Sequence, residues 1–349
     1  MRFWQTCCTL KTWVNESRVH RGTWLLSLSA LLLLCAVLSV CIGSTSLSLS
    51  EALADLISGR TGSPLYRILM YIRLPRTAAA LLTGAALSVS GVLIQGTLHN
   101  ALAGPNIIGV NAGAGFCALL CGALLPALPH LVPAAAFLGA MGTGLFIFAL
   151  SAMGGAGRLT IVLAGVAVSG ILSAGIDAIT VLFPDLAIGA ASFMIGGFSG
   201  VSRTNLFPAA WYLLGAGICA LFCGRFLNVL SLGEETAQSL GMRVTRTRLL
   251  LLGLASLLAG ASVSIGGLLG FVGLLVPHIT RRLIGSDHRL LLPSSALLGG
   301  SFVLLCDTLS RVLFAPYEFP VGIVMSLCGG PFFLWLLLRA KGGTDDGIL

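Results

Sequence analysis

Ten runs of roughly twenty apolar residues dominate the chain, and short stretches between them hold most of its charges. The runs fall at about 24–43, 77–98, 107–126, 132–153, 159–183, 205–224, 247–265, 268–284, 294–314 and 320–338. A helix needs about 20 residues to cross the hydrocarbon core of a bilayer. Outer-membrane barrels instead show alternating segments of about 10 residues, and these runs do not alternate. The pattern predicts an all-α, polytopic membrane protein with about ten transmembrane helices. The eighth run is short and contains Gly273 and Pro277, which predicts an irregular or partial crossing. The first follows a basic leader with Arg2, Lys11, Arg18 and Arg21 and lacks a small-x-small cleavage signature, so it reads as a retained signal anchor. Residues 1–23 are therefore expected to form a cytoplasmic leader, 24–340 a single transmembrane domain, and 341–349 a cytoplasmic tail.

Composition removes the soluble alternative. Apolar residues make up 56% of the 349 and charged residues 9%, against about 25% charge in soluble domains. Placing the N-terminus inside puts fourteen of the twenty Lys and Arg on cytoplasmic segments, as the positive-inside rule requires. Both termini come out cytoplasmic. This bias accounts for the net charge of +8 and leaves no basic stripe for nucleic acid. The six exceptions are Arg60, Arg67, Arg73, Arg76, Arg203 and Arg311, four of them between positions 60 and 76.

Glycine is abundant, at 45 residues. Gly84/Ser88, Gly109/Gly113, Gly139/Thr143, Gly196/Gly200 and Gly266/Gly270 have the spacing that lets helix backbones approach closely in lipid. Dense packing inside one bundle and a dimer seam are both open readings. Of the ten cysteines, Cys117/Cys121 and Cys219/Cys223 are pairs one turn apart. No His or carboxylate joins either pair, so apolar packing is the better account than a metal site. Cys7 and Cys8 sit on the leader, where a cytoplasmic thiol stays reduced. There is no His-Glu-x-x-His and no Gly-x-Ser-x-Gly elbow, and the only lysines, Lys11 and Lys341, lie outside any phosphate-binding loop. An enzyme is disfavoured, and any ATP is bound by another chain.

Ionisable groups inside lipid are costly and mark pathways. The fifth run carries Ser169, Ser173 and Asp177 at successive turns with Thr180 close by. This stripe is a candidate pathway lining; the alternative is a set of hydroxyl-to-backbone bonds plus an interfacial Asp. In the ninth run Asp307 and Arg311 lie one turn apart, as an internal ion pair or with Asp307 anchoring a neighbouring helix. Between the sixth and seventh runs, residues 228–244 hold a capping-box pattern, Ser231 with Glu234, and a natural helix stop at Gly241. The short helix between them has Leu232, Ala237 and Leu240 on its less polar side. It reads as a docking element for a soluble partner, or as an interfacial helix on the membrane.

Residues 228–244 resemble the coupling loop of the permease subunits of type II ATP-binding-cassette importers for iron siderophores, haem and vitamin B12. That family's pattern, Leu-Gly-Glu-x-x-Ala-x-x-Leu-Gly, is matched in full by residues 232–241. Further agreement comes from Arg73-Leu-Pro-Arg76 with Gly84 to Gly91 and Gln95, and from Asn100 to Gly109 leading into Asn111. Gly270 to His278 with Asp287-His288-Arg289, and Phe319 to Gly322 with Gly329 to Phe333, complete the match. Ala101 departs from the family, which has Pro after the Asn. The resemblance covers about residues 60–340.

It implies ten spans per chain and work as a homodimer, or as a pair of similar permeases, with the pathway on the dimer axis. The fifth and tenth spans would line it, through Ser169, Ser173, Asp177 and Thr180 and through Met325 and Ser326. A periplasmic or lipid-anchored binding protein would dock outside on Arg73, Arg76 and Arg311. Two ATPase subunits would dock on Ser231, Leu232, Gly233, Glu234, Glu235, Ala237, Leu240 and Gly241. ATP and Mg would sit on those partners, with no cofactor or metal on this chain. The expected cargo is a ferric siderophore or related iron chelate crossing the bacterial inner membrane, with haem or cobalamin as the alternative. A secondary transporter working without an ATPase is a reading from another class.

Overall fold

The computed structural model describes residues 2–43, 63–105, 108–153, 158–313 and 317–341. The side chains of the leader (residues 1–21), Arg60 and the tail at 342–349 lie outside the described part. All described regular structure is helical: α1 (Arg2–Cys41), α2 (Pro64–Leu98), α3 (Val110–Leu124), α4 (Val132–Met153), α5 (Arg158–Leu182) and α6 (Pro184–Ile195). Then follow α7 (Arg203–Phe222), α8 (Gly224–Leu230), α9 (Glu234–Ser239), α10 (Val244–Gly266), α11 (Val272–Ile284), α12 (His288–Val312) and α13 (Val321–Lys341).

Each of the ten apolar runs carries a helix, yet not all are full crossings. Six described helices are long and apolar enough to span, or seven if the bent pair α7 and α8, 49° apart, is one span. Helix α3 is shorter, at 15 residues, whereas α13 runs for 21. The eighth run is helical only over the 13 residues of α11, because residues 267–271 form an irregular turn in which Phe271 adopts φ 65°. Pro277 lacks an N–H, so the carbonyl of Gly273 receives no intrahelical bond. Gln95 of α2 fills the vacancy, donating through Nε2 at 3.3 Å. The helix α6 was not foreseen; it is split from α5 at Phe183 by Pro184, which begins the new helix.

The hub is α2, with 78% of its apolar window buried against 17% for α1 and for α5. After a first α-helical turn, Pro64–Arg67, it passes through a π-helical stretch, Ile68–Arg73. Pro75 would press its ring on the carbonyl one turn back in a regular helix, and the wider turn relieves that contact. Along its length α2 packs on α10, α11 and α12. A side chain at Gly91 would overlap the Gly273 carbonyl, and Gly84 and Gly299 interlock backbone to backbone beside Ser88. Gly113 meets Gly139 and Thr143 where α3 crosses α4. The small-residue pairs around Gly84 and Gly113 therefore pack inside one bundle, while a side chain at Gly200 or Gly270 would have open space among the described residues.

Replacing Gly91 with Ala is expected to force α2 off α11 and to destabilise by about 1–3 kcal/mol. The control Gly142→Ala, which meets nothing within 4 Å, is expected to leave the melting temperature in detergent unchanged or slightly raised.

Candidate functional site

Polar chemistry gathers at the two ends of the bundle: a far end, reached by the C-terminus of α1, and a loop end carrying α8 and α9.

At the far end Asp307 of α12 is fully buried and faces two arginines. Arg76 grips it with Nη2 at 3.0 Å and Nε at 3.1 Å, and places Nη1 on Glu318 Oε2 at 2.6 Å. Arg311, one turn along α12, lies 3.2 Å from the other oxygen. The same guanidinium donates to the carbonyls of Ser39 and Ile42, at 3.1 and 3.0 Å. Arg73 donates to those of Val40 and Cys41, at 2.6 and 2.8 Å. The last turn of α1 has carbonyls with no helical partner, and cations suit that negative pole. The internal ion pair of Asp307 with Arg311 is present, and Arg76 joins it from α2.

These are the three arginines expected to meet a docking partner. Arg73, Arg76 and Arg311 are instead only 4%, 6% and 3% exposed, because desolvated guanidinium groups need partners and find them inside the chain. Among the arginines expected on the outer side, Arg67 and Arg203 are exposed, the latter 5.1 Å over the Tyr71 ring. Arg76 and Glu318 border a cavity of about 290 Å³, with Ser192, Phe198 and Ser264 among its walls.

The stripe on α5 divides. Ser169 is half-buried, and its buried Oγ has no hydrogen bond among the described residues. Thr180 bonds back to the carbonyl of Ile176 at 2.8 Å. Ser173 and Asp177 are exposed, on a helix whose Ile171, Val181 and Leu182 are exposed too. On α13, Met325 is fully buried and packs in the core instead of facing a pathway. Ser326 is exposed and lines a cavity of about 500 Å³ with Asn111, Met194, Ile195 and Gly270. The structure does not bring the α5 and α13 candidates together within one chain. Asn111 and the contribution of α6 escaped sequence reasoning, since nothing local marks a residue as cavity-lining.

At the loop end α9 is the short helix expected between Ser231 and Gly241, but its start differs. Gly233, at φ 103°, is the N-cap. Ser231 lies at the end of α8, where its hydroxyl donates to the carbonyl of Asn228 at 2.7 Å. Glu234 forms an ion pair with Arg248 of α10. The capping box is therefore not made: a left-handed glycine between the two residues turns both side chains away. The predicted stop does form. Gly241, at φ 82°, donates to Gln238, and Met242 donates to Ala237, the paired bonds of a Schellman ending. Ala237 is fully buried, whereas Leu232 and Leu240 are 60% and 63% exposed, with Glu235 exposed between them. The helix is held by its alanine and offers its leucines outward.

Among the described residues no group of three or more His, Cys, Asp or Glu could hold a metal ion. Comparison with known proteins adds to this geometry. The profile of the FecCD transport family matches residues 31–339. The chain is 38% identical over 323 residues to the hemin transport system permease protein HmuU of Yersinia pestis, covering 90% of this chain and 96% of that one. It is 35% identical over 322 residues to the Fe(3+) dicitrate transport system permease protein FecC of Escherichia coli (strain K12), covering 90% and 96%. A solved inward-facing structure of the metal-chelate ABC transporter type superposes with a TM-score of 0.78 at 30% identity, over 91% of this chain and 99% of that chain.

The far-end cluster sets two substitutions apart. Asp307→Ala removes the carboxylate shared by two buried arginines and is expected to destabilise by about 3 kcal/mol or more. Glu318→Ala, at a side chain 33% exposed, is expected to cost about 1 kcal/mol at most. Thermal melts of the purified protein in one detergent compare the two directly.

Proposed function

The chain belongs to the FecCD transport family, whose members are membrane-spanning permease subunits of ABC importers, and on that premise we propose that it carries an iron chelate across the bacterial inner membrane. A ferric siderophore or ferric citrate is the favoured cargo, and the ferric dicitrate relative supports it. Haem is the second reading, supported by the hemin permease relative. The energy comes from a separate ATPase, two copies of which dock at the loop end, and cargo is delivered by a binding protein at the far end. This orientation puts α8, α9 and both termini in the cytoplasm, as the basic residues require.

The observation that carries the reading is α9. A six-residue helix is too short to be stable alone, yet it is capped, buttressed by Glu234–Arg248 and built to display two leucines. Exposed apolar side chains on a braced loop fit a protein partner.

A second copy of the chain completes the pathway. Asp177 and Ser173 are exposed on a helix that is otherwise apolar outside. A carboxylate facing lipid costs about 2.5–3.5 kcal/mol at the bilayer centre. Setting α5 against a water-filled dimer axis removes that cost. The cavity lined by Ser326 and Asn111 is the other polar-walled space that such a route has available. A receptor carboxylate that reaches Arg76 does so through the smaller cavity and displaces Glu318, while Arg67 and Arg203 supply the accessible positive charge around it.

With Leu232→Glu and Leu240→Glu combined, the ATPase is expected to be lost on purification while the permease keeps its melting temperature. Retained ATPase together with retained uptake counts against the dock. Asp177→Asn is expected to lower uptake of ferric citrate or hemin in proteoliposomes without changing ATPase binding; full uptake would return Asp177 to a surface role.

A further inference from the structure

The helix α8, which leads into the exposed α9, is seated by the buried Leu227 and Leu230 and joined to the start of α12 by the side chain of Asn228. Asn228 donates through Nδ2 to Asp287 Oδ1 at 2.8 Å. Its Oδ1 accepts from the backbone N–H of His288 and from His288 Nδ1, both at 2.9 Å. An ionised carboxylate only accepts, so the Asp287 contact fixes which way the amide points and puts the ring proton on Nδ1. Helix α12 starts here with donors that have no helical partner. Asp287 satisfies Arg289 at 3.1 Å, and Asn228, from another helix, satisfies His288. Beside them the Leu230 carbonyl lies 2.7 Å from Nε2 of His99, at the C-terminus of α2. Gly224, at the start of α8, rests on the Arg289 backbone.

The two helices gripped in this way, α2 and α12, pack against each other along their length. They interlock at Gly84 and Gly299 and are bridged at the far end by Arg76 and Asp307. The 25 residues of α12 reach about 37 Å at 1.5 Å per residue. One end of this pair is therefore held by Asn228, and the other carries the ion pairs beside Glu318.

We propose that Asn228 is the positioning residue that hands movement of the α8–α9 segment to the paired helices α2 and α12, so that ATP-driven closure at the loop end alters the Arg76–Glu318 contact at the far end. The inference rests on α9 being the ATPase dock. A bond made by amide and carboxylate transmits displacement in either direction, whereas an apolar contact at the same place would slide.

The test uses the full chain purified with its ATPase in lipid nanodiscs, as wild type, N228D, D287N and the exchange N228D/D287N. Amide hydrogen exchange over residues 197–201 and 317–319, next to Arg76, is compared between nucleotide-free and ATP–vanadate-trapped complexes. A wild-type difference between the two states is expected. It should be lost in N228D, where two carboxylates face each other. It should return in the exchange, which re-forms the bond with amide and carboxylate swapped, and persist in D287N, which keeps an amide-to-amide bond. A purely structural role would raise exchange in both states and leave their difference intact. An undiminished difference in N228D, no recovery in the exchange, or no difference in the wild type each overturns the inference. If the ATPase co-purifies with all four and N228D keeps the difference, only the inference falls. If the ATPase fails to co-purify with the wild type, the docking reading falls and takes the inference with it.

Discussion

A charge taken out of water must be answered by another charge or by hydrogen bonds, and this fold is arranged around one such demand. Asp307 is fully buried on α12; Arg76 answers it from α2 and Arg311 from its own helix. With that carboxylate shared, each guanidinium has donors left over. Arg76 spends one on Glu318, and Arg311 spends its own on the end of α1. One acidic residue thereby registers the hub helix, the first helix and the loop that enters α13. Apolar packing could hold those helices in several rotations, whereas a bidentate ion pair with 3.0–3.2 Å contacts fixes one.

The same logic explains how irregular backbone is tolerated inside an apolar bundle. Backbone groups buried in lipid must be satisfied from within. The proline of α11 frees the Gly273 carbonyl, and Gln95 takes it up. The turn at 267–271 is stitched by Leu268, which donates to the carbonyl of Phe193, and by Gly197, which donates to that of Gly266. Gly322, at the start of α13, donates to Gly196. The ends of α6, α10 and α13 are thus tied by backbone bonds beside the two cavities, where broken helices leave room for a route.

Patterns that repeat every few residues were legible in the sequence. The apolar runs located the helices, Gly273 and Pro277 marked the irregular eighth, and Gly241 marked the end of α9. What could not be read was which groups, far apart in the chain, would meet. Arg76 finds Asp307 across 231 positions, so three arginines that break the positive-inside pattern looked available when they are buried. Met325 was expected in a pathway because the resemblance assigned its span to one, yet the rotation of α13 turns it into the core. Ser231 and Glu234 had the spacing of a capping box, and the backbone of Gly233 undid it. Asn228 carries no local signature, since its partners lie 59 and 60 positions away.

The grip on α1 has a consequence for how the protein is made. Arg73 lies 33 residues beyond the Val40 carbonyl it holds, whereas Arg311 lies 272 beyond that of Ser39. At about 5–20 residues per second, the ribosome delivers the first clasp within about 2–7 s and the second only after about 14–54 s. Until α12 has been made, Arg76 lacks the carboxylate that it holds in the finished fold. Emergence of α12 supplies that carboxylate together with the second clasp, and α13 follows it. Both clasps take backbone carbonyls at the end of α1, and Arg311 also donates to the Ser39 hydroxyl at 2.9 Å, so α1 takes part through its ending and through that one side chain.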